Sequence, residues 1–467
     1  MKMLPDNPTA LCTYILVAGN LSAQVDMGAD GRGTWGELAG GAAFAIRRAE
    51  LRGRSVLIAA TNQFRAAEAF IQLDGVVRRM VLYPPDLSRD HLDFVAKSAN
   101  ADVIVTDSTS PDSETYAVEY LASSKRSAAK ESIGRNETIQ TEWILLTSGT
   151  TGLPKLVSHT LASLVGAIAT RKSSPEPLVW STFYDIRRYG GLQIFLRAAL
   201  TGTPLILSAA QEPVADFLLR AGQMGVSHIS GTPSQWRRVL MSPSVDAIAP
   251  KYVRLSGEIA DQAILNRLQT QYAHARVAHA FASTEAGVVF EVNDTAMGVP
   301  VDAIQHTPHV EMKIVSGTLR VRSKRTASRY VGGNALPLKD HEGFVDTGDV
   351  LELRDGRFYF AGRRDGTINV AGLKVHPEEV EAVLNRHPEV GMSLVHTKKS
   401  SITGGLVVAD VVLKSTASTT AGSVRALQHD ILKFCREELA LYKVPVTINF
   451  VSTLAVADSG KLIRRHA

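Results

Sequence analysis

From about residue 55 to residue 290, short apolar runs alternate with longer segments of helical period. This alternation constrains the fold more than any other feature of the chain. "SVLIAA", "RMVLYPP", "DVIVTDS", "WILLTSG", "TPLILS", "SHISG", "YVRLSG" and "HAFAS" have the length and continuity of buried strands. "EAFIQLDGVV", "LDFVAKSA", "ASLVGAIA", "VADFLLRAGQMG" and "QAILNRLQTQY" have helical spacing between them. Strand–helix alternation implies parallel sheets covered by helices, so the expected class is α/β. In such sheets ligands collect at loops leaving the carboxyl ends of strands, here the loops after "WILL" and "HAF".

The texture changes after about residue 310. "EMKIVSGTLRVRS" and "VLELRDGRFYFAG" read as antiparallel hairpins, the second turning at Asp355-Gly356. "AGRRDGTINVAGLKVHPEEVEAVLNRHPEV" passes from strand to loop to helix. "MSLVHT", "GLVVADVVL", a helix near 424–440 and "VTINFV" follow. A chain of 467 residues exceeds one ordinary core. The pattern divides it into a large unit, residues 1–362, with a small β-barrel-like part, and a compact α+β unit, residues 363–467. The boundary is expected at Gly362–Asp365. No internal repeat or heptad pattern is present.

Hydrophobic residues make up 45% and charged residues 21%, as in an ordinary globular protein. The net charge of +5 comes mostly from scattered residues, which suits an anionic small molecule or an acidic protein partner rather than a nucleic-acid groove. Cys12 and Cys435 stand far apart, so neither a disulfide framework nor a zinc site is expected, and a cytoplasmic location follows. Pro5, Asp6, Asn7 and Pro8 argue against a signal peptide, and no apolar run is long enough for a transmembrane helix. His306 and His309 flank Pro308 without further ligands, which argues against a metal site there.

"LLTSGTTGLPKLVSHT" concentrates hydroxyls, glycines and one lysine in a single turn. Gly149 and Gly152 would let backbone N–H groups approach phosphate oxygens. Thr147, Ser148, Thr150 and Thr151 add donors, and Lys155 adds a charge. A helix-compatible segment follows, whose N-terminus would add its dipole. Leu153-Pro154 separates Gly152 from Lys155, so the stretch is not the common NTPase loop.

"TSGTTGLPK" resembles the phosphate-loop signature of the adenylate-forming enzymes, the superfamily of acyl-CoA synthetases, peptide-synthetase adenylation domains and luciferases. Further motifs occur in the same order. "RLSGEIA" resembles the adenine-contacting loop and points to Gly257, Glu258 and Ile259. "HAFASTEAG" resembles Tyr-Gly-x-Thr-Glu-x-Gly. There Thr284 would hold the α-phosphate and Glu285 would bind Mg2+. Phe281 stands where the family has tyrosine and can still stack on adenine. "GFVDTGDV" implies that Asp349 accepts the ribose hydroxyls. "GRRDGTINVAGLKV" resembles the inter-domain hinge, with Arg363 on the ribose or phosphate and Asp365 at the pivot. Its loop, with Gly372 and Lys374, would face the nucleotide in the second half-reaction. "DSGKLIRR" resembles the C-terminal motif that carries the catalytic lysine, here Lys461. Ala455 and Ala457 replace the usual proline and threonine.

The resemblance implies activation of a carboxylic acid by ATP and Mg2+, then transfer to a thiol. The thiol is coenzyme A or the phosphopantetheine of an acyl or peptidyl carrier protein. A non-catalytic nucleotide-binding scaffold is the rival of another class. "WSTFYDIRRYGGLQIF" corresponds to the family's acyl pocket. Tyr184 would line it. Asp185 either meets a substrate amine or pairs with Arg187 or Arg188. Gly190, Gly191 and Gly231 could leave room for the acid.

Overall fold

The computed structural model describes residues 10–18, 20–40, 48–107, 117–120, 139–147, 152–168, 177–209, 211–333, 335–400, 404–414, 421–456 and 461–463. Among them are four sheets. In the seven-stranded sheet, Glu142–Thr147, Arg79–Leu82, Ser55–Ile58, Val103–Thr106 and Ala117–Tyr120 run parallel. Lys155–Thr160 and Arg329–Val331 add antiparallel strands at one edge. The eight-stranded sheet runs parallel through Arg276–Ser283, Tyr252–Ser256, His228–Gly231, Trp180–Thr182, Leu205–Leu207 and Gln24–Asp26. Its two edge strands are antiparallel. The continuous apolar runs become parallel strands because both faces are covered. A shared core holds Trp35, Phe70, Trp143 and Phe195 between these sheets.

The hairpins Val310–Val315/Thr318–Ser323 and Val345–Arg354/Arg357–Arg363 join Val299–Pro300 in a curled antiparallel sheet, the β-barrel-like part. The C-terminal domain has a sheet built only from strands at or beyond Ile368. The helices Pro377–Leu384 and Ala421–Glu438 pack on it, with Val380, Leu384 and Ile431 in its core. The α/β class and the division into parallel-rich and curled sheets match the sequence expectation.

Local differences have local causes. The helix expected over 68–77 spans Gln63–Leu73, because Asn62 caps it by accepting Arg65 N–H. The chain then leaves the helix at Asp74, whose buried carboxylate accepts Leu11 N–H and the Trp143 indole N–H. The segment after the glycine-rich turn begins as a strand, Lys155–Thr160, antiparallel to Glu142–Thr147. A helix starts only at Leu161, where Thr160 and Ser163 form a capping box. The turn is therefore a hairpin connection, and the expected helix dipole does not act on it. "YGGLQIFLRAALT" forms a helix, Tyr189–Thr201, closed by left-handed Gly202.

Candidate active site

Strand ends and one segment of the C-terminal domain converge. Strand Tyr252–Ser256 ends at Gly257, and both carboxylate oxygens of Glu258 accept backbone amides, Ser234 N–H at 2.9 Å and Leu462 N–H at 2.9 Å. The second bond ties the C-terminal segment to the large domain.

A bridge between Val456 and Leu462, with Ile463 N–H on Ala455 O at 3.0 Å, presents Lys461. The residue as a whole is exposed, and its side chain runs against the large domain: a Cβ at Gly257 would sit 3.3 Å from its Cε. Burial pulls the ammonium below its ordinary pKa. Glu258 opposes that most strongly, Arg363 adds to it, and Asp349 and Glu285 oppose it. One desolvated amine therefore lies within the field of three carboxylates and a guanidinium.

Asp349 and Arg363 face each other on adjacent strands of the curled sheet. Burial pushes the Asp349 carboxyl up to about 6, against the pull of Arg363, Thr347 and Lys461. Asp349 N–H donates to Thr347 Oγ1 at 3.1 Å, and Arg363 Nη2 donates to Thr347 O at 3.3 Å. Thr347 thus holds the Asp349 backbone and the Arg363 side chain.

Thr284 and Glu285 follow strand Arg276–Ser283. Ser283 Oγ accepts Ala286 N–H at 3.0 Å and closes the turn. Gly287 is required there: its φ is +76°, and a Cβ would lie 2.5 Å from Arg325 O. His159 braces the turn from below, with Nε2 2.7 Å from Thr284 O and Nδ1 2.9 Å from Ser163 Oγ. Burial pulls its pKa down to about 4, so it is neutral. Tyr330 donates to Glu285 Oε1 at 3.4 Å, and its ring lies 5.6 Å from the Lys155 ammonium. Sequence reasoning missed both residues. The only signals were a histidine in the strand after the turn and an aromatic in "SRYVGG".

Ser148, Gly149, Thr150 and Thr151 lie outside the described residues. Thr147 and Lys155 pair across the hairpin, and Gly152 has φ +83°. Phe281 packs with Phe360 and Phe290 at 5.0 and 5.7 Å between ring centres and stays partly exposed. Ile259 follows Glu258, also partly exposed. Gly372 is not in the cluster. It tips the exposed hairpin Ile368–Val370/Leu373–Val375, next to Lys374. Asp365, with a side chain 68% exposed, sits in the one-turn helix Arg364–Gly366.

Tyr184 lines a cavity with Tyr189, Gly190, Ser230, Arg254 and Ser256, and its hydroxyl donates to Ser256 O at 2.7 Å. Asp185 is not among the residues lining that cavity, and it follows the second of its two sequence readings. It accepts Arg187 Nε at 2.7 Å and Arg187 N–H at 2.8 Å, while Arg188 pairs with Asp86. Gly231 and Gly191 are corrected. A Cβ at Gly231 would meet the Phe183 ring at 2.8 Å, and one at Gly191 the Asp185 carbonyl at 2.1 Å. Their smallness serves packing, not substrate room. His306 pairs with Asp302 at 2.8 Å.

Among the described residues no group of three or more His, Cys, Asp or Glu could hold a metal ion by itself, and no helix is long and apolar enough to cross a membrane. Glu285 beside Thr284 does fit a hard cation that takes its remaining oxygens from phosphates and water.

A family model for AMP-binding enzymes matches residues 39–327, and one for the AMP-binding enzyme C-terminal domain matches residues 379–461. The chain belongs to the AMP-binding enzyme family, within the adenylate-forming superfamily. A 2-succinylbenzoate–CoA ligase of Salmonella typhimurium is 30% identical over 64% of this chain and 62% of its own length. A p-hydroxybenzoic acid–AMP ligase of Mycobacterium tuberculosis is 26% identical over 81% of this chain and 56% of its own. The chain thus spans about six-tenths of these relatives' length. The fold is shared with an o-succinylbenzoate CoA synthetase of Bacillus subtilis bound to its acyl-adenylate. The TM-score is 0.76 at 21% identity, over 99% of this chain and 98% of that one. An anthranilate CoA ligase in complex with anthranoyl-AMP gives 0.78 at 17% identity, over 98% and 96%.

Proposed function

We propose that this chain activates a carboxylic acid with ATP and passes the acyl group to coenzyme A. In the first step an acid oxygen attacks the α-phosphorus, the bond to the β-phosphate oxygen breaks, and pyrophosphate leaves. In the second the thiol sulfur attacks the acyl carbon, AMP leaves, and the thiol proton goes to solvent. The convergence of Lys461 with Glu258, Asp349, Glu285 and Arg363 in one desolvated cluster carries the reading.

Charge grows on the α-phosphate oxygens during the first step. Lys461 and the Thr284 hydroxyl offset it, and a preoriented donor costs no reorganisation. Asp349 accepts the ribose hydroxyls, and Arg363 binds the ribose or phosphate. Phe281 stacks on adenine, with the main chain of Gly257–Ile259 at its edge. The hairpin loop from Thr147 to Lys155 holds the polyphosphate. Glu285 would hold Mg2+, which supplies charge neutralisation on the phosphates.

The C-terminal domain, residues 363–467, turns about Asp365 between the steps. Two observations support this: the curled sheet ends at Arg363 while the next sheet starts at Ile368, and Gly372 tips an exposed hairpin while the Lys461 side chain lies against Gly257. The relatives named as CoA ligases favour coenzyme A over a carrier protein as acceptor. Cys12 and Cys435 are not joined in a disulfide, which suits a reducing cytoplasm. Acid-dependent exchange of labelled pyrophosphate into ATP tests the first step, and thioester formation with coenzyme A or a carrier protein tests the second. A folded protein that exchanges no label with any acid refutes the proposal.

A further inference from the structure

Strand Tyr252–Ser256 sits inside the eight-stranded sheet and carries one charged residue, Arg254, at its centre. An arginine at such a position is costly unless something pairs with it. Arg254 is 8% exposed and lines the cavity beside Tyr184. Its nearest carboxylate, Glu291, lies 3.5 Å away. Glu291 is already engaged by closer donors: Oε1 accepts Arg276 at 2.8 Å, and Oε2 accepts the Tyr252 hydroxyl at 2.7 Å. Arg254 Nε accordingly has no hydrogen-bond partner, and neither does Ser230 Oγ, which lines the same cavity and is 2% exposed. Arg197 adds a further guanidinium nearby. It lies over the Trp180 ring at 5.3 Å and has no carboxylate partner among the described residues.

Unpaired buried polar atoms converging on one cavity need an explanation. Arg254 and Arg276 share one carboxylate and Arg197 is paired with none, so the region is positive. The cavity lies beside the candidate site, since its lining includes Ala282 and Ser256, each within two residues of Thr284 or Gly257 in the chain.

We propose that this cavity is a subsite for a second anionic group of the acid substrate, a carboxylate in the simplest case, held by Arg254 and Ser230. The proposal rests on the acid-activation reading and names the class of acid within it: a compact dicarboxylate or its equivalent. The cavity sets Arg254 and Ser230 among Ile194, Ala282 and Val288, which suits a compact acid with one polar head.

Pyrophosphate exchange by the full chain, with butanedioate against butanoate and pentanedioate against pentanoate, tests this. The wild type is expected to favour each diacid by about 10- to 100-fold in kcat/KM, the worth of a charge-assisted hydrogen bond. Arg254→Leu should erase that ratio, and Arg254→Lys should keep part of it. ATP affinity by calorimetry reports whether each variant is folded. A wild type without diacid preference overturns the subsite. So does an Arg254→Leu variant in which diacid and monoacid rates fall in parallel. Absence of exchange with every acid refutes the activation reading instead. Calorimetry of butanedioate then decides the subsite alone: binding lost in Arg254→Leu upholds it, and equal binding in both proteins overturns it.

Discussion

Asp349→Asn should make the protein more stable and a worse nucleotide binder at the same time. Burial pushes the Asp349 carboxyl from 3.8 to about 6. A raised folded-state pKa means that the folded chain holds the proton more tightly than the unfolded chain. The stabilising contribution is therefore fully present below 3.8 and is lost as pH rises through about 6. At pH 8 the wild type carries the whole cost of an ionised buried carboxylate. A shift of about two units corresponds to about 3 kcal/mol, and partial solvent contact reduces this to roughly 1–3 kcal/mol. Asparagine removes the charge and keeps the shape. The unliganded variant should melt a few degrees higher than wild type at pH 8 and close to wild type near pH 4. The same change removes a charged acceptor from the ribose hydroxyls, so ATP affinity should fall about 10- to 100-fold. Thermal melts at the two pH values and ATP calorimetry at pH 8 read both effects. A variant that melts lower than wild type at pH 8 refutes the burial argument, and unchanged ATP affinity removes Asp349 from the nucleotide site.

Asp185→Asn should leave the fully buried Arg187 unpaired and cost about 3–5 kcal/mol, seen as a large drop in melting temperature; a stable variant with altered acid preference would return Asp185 to the substrate. His159 is held neutral, with a pKa near 4 against 6.5. The unfolded chain therefore takes up its proton first, and stability falls as pH drops from about 6.5 towards 4. Denaturant titrations of His159→Gln should show a weaker acid dependence over that interval, and an identical dependence would contradict the assignment. Glu258→Gln weakens the bond to Leu462 N–H. It should slow adenylation about tenfold and leave thioester formation from a supplied acyl-adenylate less affected, as rapid-quench assays of each step would read.

Parallel strands such as Ser55–Ile58, Arg79–Leu82 and Val103–Thr106 were legible because they are buried along their whole length and so appear as short runs rich in apolar residues, whereas Gln24–Asp26 carries no such run. Strand Lys155–Thr160 was not legible, because "LVSHTLASLV" carries strand and helix signals in succession and only the Thr160 capping box marks the change. The cluster of Lys461, Glu258, Asp349, Glu285 and Arg363 was named from its motifs, and the structure supplies what motifs lack: the bond from Leu462 to Glu258, which joins the two domains at the site. Tyr330 stands far from Glu285 in sequence and reaches it only because Arg329–Val331 pairs with Lys155–Thr160. Asp185 had alternative partners, and sequence offered no means of choosing among them; the turn that brings Arg187 back onto it decides the matter. Arg254 reads as one polar residue at a strand's centre, and its isolation emerges only when Tyr252 and Arg276 are seen to occupy Glu291.

The most direct test of the account is the pair of half-reactions in Lys461→Ala. In the proposed alternation, Lys461 leaves the nucleotide cluster when the C-terminal domain turns and the Gly372 hairpin takes its place. Its amine acts on charge that grows in the adenylation transition state, so its loss should lower that rate more than it lowers ATP binding. Single-turnover assays would follow acyl-adenylate formation from acid and ATP, and thioester formation from synthetic acyl-adenylate and coenzyme A. The account predicts loss of about 100-fold or more in the first, in line with removal of one preoriented donor to the developing charge, and a near-normal second. Equal losses in both steps, in a variant whose fold is intact, would contradict it.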